Sequence, residues 1–186
     1  MLNVKTLALA TAGSMLLATG AIAMQQDYPM VGGAAMYPTR TIVQNAVNSK
    51  DHTTLVAAVK AAGLVDTLSG KGPFTVFAPT NDAFAKLPAG TVDNLVKPEN
   101  KATLTKILTC HVVAADAMAS AINKMIADDK GAHKVKTVGG CLLTAKKNGD
   151  KITLTDEKGD VATVTIADVK QSNGVIHVID TVMLPG

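Results

Sequence analysis

Phe74-Thr75-Val76-Phe77-Ala78-Pro79-Thr80-Asn81-Asp82-Ala83-Phe84 is the stretch on which the reading of this chain turns. Phe74–Ala78 is short and rich in β-formers, which predicts a strand, and Pro79 ends it. Thr80 or Asn81 then caps a helix predicted over Asp82–Leu87, with the Asp82 carboxylate placed where the helix dipole favours it. Polar side chains directly after a buried strand serve to satisfy orphan amides. The same corner also offers polar contacts to a ligand, so Asn81 and Asp82 are candidate binding residues.

Upstream of this corner the apolar period is helical. Thr41–Asn48 predicts a short helix, and Asp51–Ala62 a longer one capped by Asp51 or Thr53 and closed by Gly63. Leu64–Leu68 adds a turn. Downstream, Thr91–Val96 and Lys101–His111 predict helices, the second capped by Asn100. Val112-Val113 runs extended, and Asp116 starts a helix to about Ala127. From residue 133 the period becomes alternating. Lys134–Val138, Leu142–Lys147, Lys151–Asp156, Ala162–Ile166 and Val175–Leu184 read as strands of an antiparallel meander. Asn148-Gly149 marks a hairpin turn with positive φ at both positions. Helices with one early strand, then strands, make an α+β domain.

The first residues read as an address. Lys5 supplies a positive n-region, Leu7–Ala23 is apolar and uncharged, and Ala21-Ile22-Ala23 offers a small-x-small cleavage site. Residues 1–23 are thus expected to be a signal peptide cleaved after Ala23, and the protein to be secreted or periplasmic. Met24–Thr39 is rich in Gly, Pro and Ala; 24–37 is expected to be an extended N-terminal arm, and 38–186 the domain.

Composition excludes several functions. The chain has 186 residues, 18 Lys+Arg against 15 Asp+Glu, two Tyr, three Phe and no Trp. A net charge of +3 is too small for an electrostatic nucleic-acid binder, and so few aromatics leave little for base stacking. Cys110 and Cys141 are the only cysteines. Export favours their pairing, which would close a loop of about 30 residues and contribute roughly 3–4 kcal/mol. Free thiols are the other reading. A Cys110–His111 nucleophile–base dyad is disfavoured, because adjacent residues point in different directions. His52, His111, His133 and His177 lack metal-ligand spacing, and Asp128-Asp129 and Asp156–Asp160 read as solvated turns. No phosphate-binding glycine loop, nucleophile elbow or zinc-protease pair is present. No cofactor, metal or catalytic residue is expected.

The second telling stretch is Asn173-Gly174-Val175-Ile176-His177-Val178-Ile179-Asp180-Thr181-Val182-Met183-Leu184-Pro185. Together with Phe74–Phe84, and Leu108-Thr109-Cys110-His111-Val112-Val113 between them, it closely resembles a fasciclin domain over residues 38–186. The match is closest to small secreted bacterial proteins with a single such domain. The resemblance implies a β-wedge of two sheets with a helical layer packed on one side. It also implies adhesion or surface and host contact through a protein or matrix partner, rather than catalysis. One departure stands out. The family's Tyr-His pair, linked to adhesion in animal members, is Cys110-His111 here. A Cys bound to Cys141 presents no phenol, and would instead pin the end of helix 101–111 to the strand starting near Cys141.

His111 is a candidate interaction residue by that resemblance, though a His closing a helix also complements its dipole. His177 shares a strand face with Val175 and Ile179, and Asp180 the opposite face; His177 is a further candidate. Met118, Ile122 and Met125 form an apolar stripe that suits either the core or an apolar pocket. Since some fasciclin proteins bind carotenoids, the alternative function is an extracytoplasmic carrier of a carotenoid-like pigment or lipid.

Overall fold

The computed structural model describes residues 28–186; the expected signal peptide and cleavage site lie outside these. Seven strands form one hydrogen-bonded order, β4-β3-β9-β8-β7-β6-β5. They are β3 (Phe74–Pro79), β4 (Val112–Val113), β5 (Ala132–Lys136), β6 (Leu142–Asn148), β7 (Lys151–Thr155), β8 (Val161–Gln171) and β9 (Gly174–Ile179). The two sheets of the wedge share β8. Its first residues pair with β7, and from Val164 onward it pairs with β9 through two register shifts. Asp168 sits in the second shift at φ 60°, a left-handed conformation that Asp tolerates.

The centre of the molecule is a parallel pair. β3 and β9 run side by side with Phe74 opposite Gly174 and Pro79 opposite Ile179. Both are buried on both faces, as a central strand requires. Val76, Ala78, Ile176 and Val178 face one hydrophobic cluster, shared with the helices. Those helices are α1 (Ile42–Ala46), α2 (Thr53–Ala62), α3 (Val65–Ser69), α4 (Asn81–Ala85), α5 (Thr91–Leu95) and α6 (Lys101–Thr109). Phe77 and Ile179 point the other way, into a second cluster with Leu143, Leu154 and Val164 inside the wedge. There α7 (Ala119–Asp128) inserts Ile122 and Ile126. The helical layer therefore covers one side, while α7 closes the interior of the wedge.

Several expectations shift. From Met30 the expected arm is not extended but a small hairpin of β1 (Met30–Val31) and β2 (Ala34–Ala35). Val31 and Met36 are 3% and 2% exposed and belong to the helical-side core, so their burial docks it. The Asn148-Gly149 turn also differs. Asn148 pairs with Lys151, so the loop is Gly149-Asp150, and only Gly149 has positive φ. A two-residue loop with its first position left-handed suits the strand twist equally well. The helix expected from Asp116 begins at Ala119.

Candidate functional site

The two motif histidines are inside the protein. His111 follows α6 and is 2% exposed. Its Nδ1 lies 2.8 Å from the Ile107 carbonyl and its Nε2 2.9 Å from the Met183 amide. Only one tautomer serves both: Nδ1–H donates to Ile107, and Nε2 accepts from Met183. Burial pushes its pKa down to about 4 against smaller opposing effects of the Ile107 carbonyl and Asp156. The ring is thus neutral. It satisfies a last-turn carbonyl by hydrogen bonding, and does not complement the helix dipole as a cation.

His177 uses the opposite tautomer. It is fully buried on β9, with its ring stacked against Phe77 at 5.6 Å between centroids. Nε2–H donates to the Ala117 carbonyl at 2.8 Å, and Nδ1 accepts from the Asp168 amide at 3.2 Å. Burial lowers its pKa, opposed by the Ala117 carbonyl and by Asp168 and Asp116. Asp168 in turn accepts from the Ala119 amide at 2.6 Å, which caps α7. The ring thereby ties the β8 bulge, the central strand and the start of α7 together.

Asn81 is also committed. Its Oδ1 accepts from the Thr54 amide at 3.0 Å and the Thr53 hydroxyl at 3.1 Å, and its Nδ2 donates to the Lys50 carbonyl at 2.8 Å. It caps α2 from a distance, in place of the expected Asp51 or Thr53. Thr80 caps α4 through the Ala83 amide. Asp82 projects from the first turn of α4 and is exposed. Asp180, just past the end of β9, accepts from the Thr163 amide at 2.8 Å.

The stripe read as either core or apolar pocket is divided. Ile122 is core, and Met125 packs beside it. Met118 lies just before α7 and lines an open hollow of about 660 Å³ with Pro73, Lys71, Asp116 and Lys170. Cys110 and Cys141 are bonded, Cα atoms 5.4 Å apart, joining the end of α6 to the start of β6. No cysteine is free.

Sequence reasoning passed over the strongest polar latches. Asn173 is buried, donates to the Leu68 and Gly70 carbonyls at 2.8 and 2.9 Å, and accepts from the Ile42 amide at 3.0 Å. It thus closes the end of α3 and the start of α1. Asn45, also buried, bonds both backbone groups of Tyr37 and the Gln171 side chain. Asp156 is not solvated as expected but buried. It accepts from the Lys158, Asp160 and Leu184 amides at 2.9, 2.9 and 2.7 Å. An Asx-turn signal was legible at Asp156; its long-range bond to Leu184 was not. Among the described residues, no three His, Cys, Asp or Glu side chains converge as a metal site requires.

This geometry is that of a fasciclin wedge whose polar interior is consumed by its own backbone. The family model of the fasciclin domain matches residues 50–185, and the chain belongs to that family. It is 51% identical to Protein sll1483 of Synechocystis over 156 residues, covering 84% of this chain and 79% of that one. It is 38% identical to the cell surface glycolipoprotein MPB83 of Mycobacterium bovis over 160 residues, 83% of this chain and 64% of the relative. The solved FAS1 domain pair of the insect cell adhesion molecule fasciclin I superposes with a TM-score of 0.54 at 23% identity. That match covers 70% of this chain and 43% of the other, and supports the shared fold. Among the described residues no helix is long and apolar enough to cross a membrane.

Proposed function

We propose that this chain is a secreted or periplasmic interaction module, working in cell adhesion or surface contact by binding a protein or matrix polymer. It transforms nothing. One observation carries the reading: His111 and His177 each spend both ring nitrogens on the protein's own backbone. Neither ring is free to move a proton for a substrate. What remains for partners is the outside, where Asp82 and the lysines lie. The cell-surface relative MPB83 and the Lys5 to Ala23 address both support export.

The test is retention of labelled protein on the surface of the cells that make it. Saturable retention is expected, unchanged in His111→Gln and His177→Gln variants that remain folded. Absence of saturable retention, or a turnover abolished by either change, overturns the reading. The mass of the exported protein should place Met24 first. The carrier reading draws less support. The apolar crevice between α1, α2 and α3 measures about 40 Å³, room for about one water. Ile122, a candidate for lining an apolar pocket, is core.

A further inference from the structure

The outer face of β5–β8, opposite the wedge interior, has an unusual chemistry. Strand alternation and register place two rows across it: Ala132-Lys146-Thr153-Thr163 and Lys134-Thr144-Thr155-Val161. Lys136 and Leu142 begin a third row. None of these positions is acidic or aromatic. Lys134, Lys136 and Lys146 are exposed, and among the described residues none of the three has an ion-pair or hydrogen-bond partner through its ammonium. Three of the carboxylates near the rim are bonded elsewhere. Asp180 holds the Thr163 amide, Glu157 the amides of Leu142 and Gly186, and Asp129 the His133 ring. Backbone hydrogen bonds keep the Glu157 carboxyl below its ordinary pKa, and it forms no ion pair with any of the three lysines.

Local needs explain only part of this. β5 is the edge of the sheet, and lysines on an edge strand prevent sheets from pairing edge to edge. That accounts for Lys134 and Lys136 but not for Lys146, one strand further in. Lys134 and Lys136 are neighbours on one face of β5 and Lys146 lies diagonally across from Lys134, so the three unpaired cations repel, and an anion laid across them relieves the repulsion.

We propose that this face binds an acidic polysaccharide. Lys134, Lys136 and Lys146 take its anionic groups, and the hydroxyls of Thr144 and Thr155, directly opposite each other, meet its sugar hydroxyls. The absence of any aromatic argues against stacked nucleic-acid bases. The face also exposes Leu142 and Val161, but these stand two strands apart, on β6 and β8, and do not form the continuous apolar face by which a surface inserts into a membrane. The inference rests on the interaction-module reading and names the face and partner class for it.

The experiment titrates the purified protein with polygalacturonate over a range of salt concentrations, with neutral dextran and phosphatidylglycerol vesicles alongside. Lys134→Gln/Lys136→Gln/Lys146→Gln is compared with Lys60→Gln/Lys97→Gln/Lys101→Gln, which removes the same charge from the helical side. The face variant should bind roughly tenfold or more weakly, with a salt slope shallower by about two, and the helical-side variant should bind as wild type does. Thr144→Val/Thr155→Val, which keeps every charge, should weaken binding without changing the slope. Equal losses in both lysine variants, no binding to polygalacturonate, or tighter binding to the vesicles than to the polymer overturns the proposal. Cell retention that persists unchanged in the face variant leaves the interaction reading standing and removes this one.

Discussion

Acid should loosen this protein well before its carboxylates titrate, and His111 sets a calculable share of the loss. Its folded pKa of about 4 lies below the ordinary 6.5. Protons therefore bind the unfolded chain first. Stability is complete above pH 6.5 and falls as pH drops toward 4; below that both states are protonated and the difference stays constant. Linkage between those values makes the native state about 2 kcal/mol less stable at pH 5.0 than at pH 7.5, from His111 alone. His52 and His177 are also lowered by burial, so they add to the loss in the same direction. Urea unfolding at about pH 7.5, 6.0 and 5.0 measures it, within the range where the linear extrapolation holds. His111→Gln lowers stability at neutral pH, and its pH dependence should be shallower by close to one proton over this window. An identical slope in the variant, or a protein that gains stability on acidification, refutes the internal clamp assigned to this ring.

Other perturbations follow from the same contacts. Gly174 has φ +151°, and a Cβ there would lie 1.9 Å from the Phe74 carbonyl oxygen. Gly174→Ala should therefore cost more than about 3 kcal/mol or prevent folding, as read by thermal denaturation. Asn173→Ala orphans two carbonyls and an amide in a buried corner, and should lose roughly 2–4 kcal/mol, whereas Asp82→Ala on the exposed surface should change stability by less than about 0.5 kcal/mol. Cys110→Ser opens a bridge of sequence separation 31 and should lower stability by roughly 3–4 kcal/mol. Alkylation without prior reduction should leave the mass of the native protein unchanged; two added alkyl groups would contradict the bridge.

Local pattern reached the α+β class because its parts are locally encoded, while the wedge itself came with the fasciclin resemblance. Phe74–Ala78, the Thr80 cap and the alternation in Leu142–Thr155 announce themselves within a few residues. The parallel pairing of β3 with β9 does not, since its partners lie about a hundred residues apart, and Val175–Leu184 reads only as the last strand of the meander, whereas β9 ends at Ile179. The alternation predicts five residues for β8, which is Val161–Gln171, because its register shifts between Val164 and Ile166 and between Ile166 and Val169 break the alternation that would have revealed it. The candidate site was legible as residues but not as roles. Asn81 looked like a local cap and serves a helix earlier in the chain; Asn173 looked like a turn and latches two helices. Capping across long sequence distances leaves no spacing to read. The Lys–Thr face was present in the strand alternation, but only the register aligns its rows.

Long-range proton–nitrogen correlation of the imidazole rings, followed by titration, reaches the heart of the matter. His111 should appear as the Nδ1–H form and stay neutral through the range where a free imidazole ionises, and His177 should appear as the Nε2–H form and ionise below the ordinary histidine value. A ring in rapid tautomeric exchange, or one ionising near the ordinary histidine value, would mean that solvent and substrate can reach it, and that the interior is more than scaffolding.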